Sequence, residues 1–232
     1  AIEALDNKVA AVVQIDLLLD VGRLVERGTL WFLRNRSQPL DIAATVASFK
    51  PGIETLSRHL KVVLSTFRAK ALLRAATRYT DRGVPKTLAR QVASLYVLAP
   101  APDIVQTAQR NSLAVDAVGD IYFQVGEVLG IDWLRSAAAG FSAESHWQRQ
   151  AVLAMVDDLY GQQRVLTAAV LDASGKKSKS VSGAVNKWVT AHQGAVDRTR
   201  RLINDLRKID AQDLDLAMLT VANRQIRVLS DG

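Results

Sequence analysis

The sequence predicts an all-α fold, a multi-helix bundle of long and short amphipathic helices with no significant β-sheet, and three observations carry that expectation. Of 232 residues, 49% are apolar and only 6% aromatic, and much of the apolar fraction is Ala, Leu and Val, a profile suited to packed helices rather than to sheets of β-branched and aromatic strands. Apolar residues recur along most of the chain at intervals of three, four and seven, the helical period. No stretch sustains the period-two alternation of a half-buried strand.

From Ile2 to about Phe32, the positions Leu5, Val9, Val12, Val13, Leu17, Leu24, Val25 and Trp31 line up at helical spacing, interrupted by Gly22 and Gly28. One long helix that the glycines can bend is expected. Arg34, Asn35, Arg36 and Ser37 break the pattern. Pro39 can then open a short helix over 40–48, because a first-turn proline gives up only an N–H that would go unsatisfied there. Pro51 is expected to restart the chain in the same way, with Ile53, Leu56, Leu60, Val63 and Leu64 on one face and Ser65 as N-cap of a stretch to Tyr79. Gly83-Val84-Pro85 marks the next boundary, and Leu88, Val92, Leu95 and Leu98 mark a helix ended by Pro100 and Pro102.

Helices over 103–110 and 115–129 follow, the second closed by Gly130 as a left-handed C-cap. Asp132-Trp133 starts a brief one. Ser142 or Ala143 then opens a long helix through Leu171, in which Val152, Met155, Val156, Leu159, Leu166 and Val170 form the clearest stripe in the chain. Ser174-Gly175-Lys176-Lys177-Ser178-Lys179-Ser180 has the composition of a mobile, solvated linker. Beyond it, Val181, Val185, Trp188, Val189, His192, Val196, Ile203 and Leu206 predict one helix to about Lys208, and a last helix covers 214–229. The expected organisation is a bundle over 1–173, a linker over 174–180, and two C-terminal helices over 181–232 packed on the bundle.

No window holds the 18 or so uninterrupted apolar residues of a membrane span. Ala1 sits in an amphipathic pattern rather than in a secretory leader, so the chain reads as a piece of a longer polypeptide. With no cysteine, disulfide and thiolate chemistry are excluded, and cytoplasm is the expected compartment. Thirty basic residues against 23 acidic ones leave a moderate formal charge of +7, weak evidence by itself for a nucleic-acid partner.

The only histidines, His59, His146 and His192, are far apart and never paired at i, i+4, so no zinc site is expected. None of the glycines forms a G-x-G-x-x-G after a strand or a P-loop, and no cofactor-binding residue is assigned. Asp157 and Asp158 are adjacent on a helix, where side chains diverge by about 100°, so a convergent acid/base pair is the poorer reading. Lys187, Arg198, Arg200, Arg201, Arg207 and Lys208, preceded by Lys176, Lys177 and Lys179, make the segment after the linker its most basic part. Trp188 there falls on the apolar stripe and not between the charges, which favours a solvated face or an acidic protein partner over nucleic acid. Tyr122-Phe123, Trp133 and Trp147 are expected as core anchors. No catalytic, cofactor or metal residue is assigned anywhere in the chain.

Several strings in this order resemble the C-terminal part of the large, bacterial type of NAD-specific glutamate dehydrogenase. They are Leu5-Asp6-Asn7-Lys8-Val9, Trp31-Phe32-Leu33-Arg34-Asn35-Arg36 with Pro39-Leu40-Asp41-Ile42, and Asp103-Ile104-Val105. Ile121-Tyr122-Phe123 with Gly126, Leu129-Gly130-Ile131-Asp132-Trp133-Leu134, and Asp157 through Thr167 continue the series. After the linker the likeness is looser and rests on Trp188 and Leu219-Thr220-Val221-Ala222-Asn223-Arg224. The resemblance implies that the dehydrogenase core, with its catalytic lysine and aspartate and its dinucleotide fold, lies upstream. NAD is then a cofactor of the full-length enzyme and of no site here. It also implies an assembly or regulatory role, with the rest of the polypeptide and homo-oligomer subunits as partners and no membrane. The rival expectation is a free-standing basic helical adaptor or nucleic-acid-binding module.

Overall fold

The computed structural model describes residues 5, 8–35, 39–60, 66–174 and 181–231, and among them the chain forms eleven helices and no strand. Helix packing divides it between Gln109 and Arg110 into two compact units, not at the compositional break of 174–180. Residues 175–180 of that expected linker, like Ser65, Val63 and Leu64, lie outside the described residues.

The first unit holds α1 (Ala11–Asn35), α2 (Ile42–Leu60), α3 (Thr66–Thr80), α4 (Lys86–Leu98) and most of α5 (Ala101–Asn111). Helices α1, α2 and α3 all pack against α4, and Val13, Leu17, Tyr79, Leu88 and Val92 share one buried cluster. Helix α1 begins at Ala11, not near Ile2, and two residues expected inside, Val12 and Val25, are 59% and 63% exposed. The reason is that α1 is apolar on opposite sides, and periodicity alone cannot choose which side faces the core.

Pro51 does not restart the chain. It lies inside a continuous α2, whose N-terminus is capped by Asp41, the Ala44 N–H donating to Asp41 Oδ1 at 2.9 Å. Pro51 and Ala47 are both exposed, so the carbonyl that loses its helical partner to the proline faces water and the break is tolerated. Pro102 likewise sits in the first turn of α5 rather than ending α4.

The second unit holds α6 (Val115–Val128), α7 (Ile131–Ala139), α8 (His146–Ser174), α9 (Val181–Ala191), α10 (Gln193–Leu206) and α11 (Leu216–Asp231). Helix α8 is its axis and packs on α6, α7, α9 and α11. Its stripe is inward as expected: Val152 is buried, and Met155, Leu159, Leu166 and Val170 are buried with Leu134, Ile203 and Ile226 in one cluster, against which Val156 also packs. A reciprocal cap sets its start at His146, later than Ser142 or Ala143. The Gln148 N–H donates to Ser145 Oγ (3.1 Å), while Gln148 Oε1 accepts the Glu144 and Ser145 N–H groups at 2.7 and 3.2 Å.

The single helix expected over 181–208 is two, broken at His192, whose backbone (φ −113°, ψ 23°) leaves the helical region. Its Nδ1 lies 2.8 Å from the Trp188 carbonyl oxygen and its ring stacks on Trp188 at 4.4 Å. Buried Trp188 and Val196 flank the break eight residues apart, so the apolar period runs across it unchanged and conceals it. The C-terminal segment therefore has three helices, with α9 and α11 packed on α8.

No helix among the described residues is long and apolar enough to cross a membrane. We expect far-UV circular dichroism of the chain to be dominated by helix at 208 and 222 nm; a spectrum fitted with a substantial sheet fraction would contradict the fold.

Candidate functional site

The chemistry-bearing side chains collect in buried polar networks, one of them in the second unit where α6, α7 and α8 meet. Asp132 enters from the first turn of α7, and Arg135, one turn on, places a guanidinium nitrogen 2.5 Å from its Oδ1. The other end of that guanidinium donates to Gln163 Oε1 at 3.0 Å. Gln163, wholly buried on α8, passes the contact on by donating through Nε2 to the Tyr122 carbonyl oxygen at 2.7 Å. Beneath Arg135 lies the ring of Tyr160, 4.0 Å from the guanidinium carbon. Burial would lower the Arg135 pKa, but Tyr160, Asp132 and Tyr122 outweigh it and raise it, so the cation is secure.

Two glycines make this junction possible. A Cβ on Gly126 would collide with Gln163 Nε2 and stand 2.9 Å from Asp132 Oδ1, so glycine lets α6 pass close to both polar groups without displacing them. Gly130 adopts φ +72°, the left-handed conformation expected of it, between α6 and α7. Around that turn Arg200 donates from Nε to the Val128 carbonyl oxygen at 2.9 Å, placing a cation at the negative end of α6.

In the first unit Asp20 is buried on the inner face of α1 and accepts from the Tyr79 hydroxyl in a short hydrogen bond. Arg78 reaches the same oxygen at 3.3 Å, and Arg23 reaches the other at 3.5 Å. Burial pushes the Tyr79 hydroxyl above its usual value, and its bond to Asp20 pushes it further. The Tyr96 hydroxyl is raised by local desolvation and then by its own bond to Asp20. A tyrosine whose folded pKa lies above its unfolded value of about 10 stabilises fully below that pH and loses the contribution as pH rises towards the folded value. The thermal midpoint should therefore fall more steeply between pH 10 and 12 in the native chain than in Tyr79→Phe; parallel curves would refute the coupling.

A second contact in this unit joins α1 to α5, where the Trp31 indole N–H donates to buried Asp103 Oδ1 at 2.7 Å. Trp31 packs edge-on against Phe32 and Phe49 at 5.1 and 5.6 Å. Beside that aromatic cluster an open apolar groove of about 320 Å³ runs along α2, lined by Phe32, Ile42, Val46, Phe49 and Ile53, with Lys50 and Glu54 at its rim.

The residues weighed from sequence fall as follows. His59, His146 and His192 lie on α2, at the start of α8 and at the α9–α10 break, and among the described residues no group of His, Asp or Glu is placed to hold a metal. Asp158 is paired with Arg227 and Asn223 on α11, so it does not converge with Asp157. In the basic run, Arg200 caps α6, Arg207 lies 5.6 Å over the Trp133 ring, Lys187 donates to the Ala173 carbonyl oxygen at 2.9 Å, and Lys208 pairs with Asp205 at 2.8 Å. Lys176, Lys177 and Lys179 are outside the described residues. Tyr122 and Phe123 are buried and Trp133 is half-buried, whereas Trp147 is 79% exposed on the first turn of α8 and is no core anchor. It precedes the first inward position, Val152, by five residues, which on a helix is well off that face.

Asp20, Asp132 and Arg135 were not singled out by sequence. A signal existed for Asp20, a lone carboxylate three residues beyond Leu17 on the face that also carries Val13. Fold and networks together define a helical packing domain in which the buried polar groups tie helix to helix.

The chain belongs to the family described as glutamate dehydrogenase, C-terminal, which matches residues 1–228. It is 36% identical over its whole length to the NAD-specific glutamate dehydrogenase of Pseudomonas aeruginosa. It is 32% identical to those of Halomonas elongata and Mycobacterium tuberculosis, over 88% and 91% of the chain. The chain spans only 13–14% of the length of these relatives. The strings that carried the resemblance supply residues of two of the three polar networks: Trp31 and Asp103 in one, Tyr122, Gly126, Asp132, Tyr160 and Gln163 in the other.

Proposed function

We infer that this chain is the C-terminal helical region of an NAD-specific glutamate dehydrogenase and serves its assembly or regulation, not its chemistry. The observation that carries the reading is the family match over residues 1–228, combined with relatives about seven times as long that bear that enzyme's name. The full-length polypeptide would oxidise L-glutamate with NAD and water to 2-oxoglutarate, ammonium, NADH and a proton, in the cytoplasm, as a homo-oligomer. The charged groups of this region support the division of labour: Arg135 reaches Gln163 on α8 and holds Asp132 within α7, Arg78 of α3 reaches Asp20 of α1, and Arg200 reaches the end of α6. Such pairing within each unit fits packed helical units that position other parts of an enzyme.

Isothermal titration of the chain with NAD, with and without glutamate, is expected to give no saturable heat, and a turnover assay no NADH. Micromolar NAD binding or glutamate-dependent NADH formation by the chain alone would overturn the reading. In the full-length enzyme, deletion of this region should alter the sedimentation profile together with activity. A deletion enzyme with native assembly, stability and kinetics would remove the proposed role.

A further inference from the structure

Helix α1 carries apolar side chains on two opposite sides. One side, with Val13, Leu17 and Trp31, is buried. On the other, Val12, Ile15, Leu18, Leu19, Leu30 and Leu33 are between 37% and 59% exposed, and Val25 is 63% exposed. At about 100° per residue these positions, with Gly22, Glu26 and Thr29 among them, fall in an arc of roughly 140°. Asp16, Arg23, Arg27 and Arg34 border one edge of it. A helix apolar on both sides, with its charges along one narrow strip except for buried Asp20 and for Glu26 within the arc, has the pattern of one covered from both sides, and an apolar face of this length marks an interaction surface.

We propose that this face of α1 seats the polypeptide preceding this region in the longer enzyme, through an apolar helix face that carries a basic residue opposite Glu26. The proposal rests on the reading of the chain as the C-terminal region of such an enzyme. Three observations select the occupant. The family is a C-terminal one and the relatives are about seven times as long, so most of such a polypeptide comes before this region. Helix α1 starts at Ala11, close to the start of the matched family region, so a segment preceding that region would reach this face intramolecularly, at an effective concentration in the millimolar range for a short connection. Glu26 stands in the middle of the apolar arc. A second copy of α1 packed in parallel would set Glu26 against Glu26, and an antiparallel pair centred near Gly22 would set it against Leu18 or Leu19. Either arrangement turns a carboxylate into the apolar seam with no basic residue of the second copy directly opposite it, whereas a different helix can supply a lysine or arginine there.

The test uses the full-length enzyme with the photo-crosslinking residue benzoylphenylalanine at position 19, and at exposed position 90 of α4 as control, in a mixture of isotopically light and heavy subunits. Leu19 should yield crosslinks, within one subunit, to residues preceding this region, well above those from Arg90. Crosslinks from position 19 to a second subunit, crosslinks confined to residues 1–232, or a yield equal to that at position 90 would each overturn the assignment. The same preparations are assayed for glutamate-dependent NADH formation. Activity with any of those three crosslinking results sinks the surface and leaves the enzyme reading standing, and absence of activity in the unsubstituted full-length polypeptide sinks the enzyme reading itself.

Discussion

Replacing Asp132 with alanine is expected to destabilise the second unit by about 3–5 kcal/mol, among the largest effects any single change should have here. The Arg135 side chain is only 15% exposed and Asp132 lies 2.5 Å from it, so the substitution strands a guanidinium that Gln163 and the Tyr160 ring can satisfy only in part. The α7 N-terminus also loses a favourably placed carboxylate. The double variant Asp132→Leu with Arg135→Met removes both charges while keeping apolar volume, and should recover most of the loss. Hydrogen exchange read by mass spectrometry locates the effect: protection should fall in α6, α7 and α8 and hold in α3 and α4. A loss under about 1 kcal/mol in the single variant would place the pair in water and not at a packed junction.

Truncating Trp31 to alanine should cost the first unit about 3–5 kcal/mol, because it empties an indole-sized space between Phe32 and Phe49 and removes the N–H that reaches Asp103. Trp31→Phe separates the two contributions. It keeps most of the ring volume but deprives a buried carboxylate of a donor, and about 1–3 kcal/mol of loss is expected. Urea titrations followed at 222 nm measure both. Equal midpoints for the alanine variant and the native chain would mean that Trp31 is no anchor, and equal midpoints for the alanine and phenylalanine variants would mean that the hydrogen bond alone matters.

The parts of this fold that the sequence discloses are those in which one helix face is apolar and the other is not. The stripe from Val152 to Val170 reads correctly because its members recur at intervals of three, four and seven along one side, while Gln150, Asp157 and Asp172 on the other side are exposed. Gly130 reads correctly because its left-handed turn is a local requirement that few other residues meet. Where local rules are outweighed the reading fails. Pro51 costs α2 one backbone hydrogen bond on its wet side, and packing of Phe49 and Leu56 on the dry side carries the helix through. The kink at His192 is invisible because the apolar period continues across it.

The sequence by itself determined the helical class, most helix positions and the family, since each depends on residues near one another in the chain or on ordered strings of them. Which side of α1 turns inward, where the chain divides into two units, and the meeting of Asp132, Arg135, Gln163 and Gly126 were decided by tertiary structure alone. Gly126 and Gln163 are 37 positions apart, and nothing in either neighbourhood states that one must be bare so that the other can approach to hydrogen-bonding distance of the α6 backbone. Such pairings are fixed by the mutual exclusion of atoms in a close-packed interior, a condition that exists only once the helices are assembled.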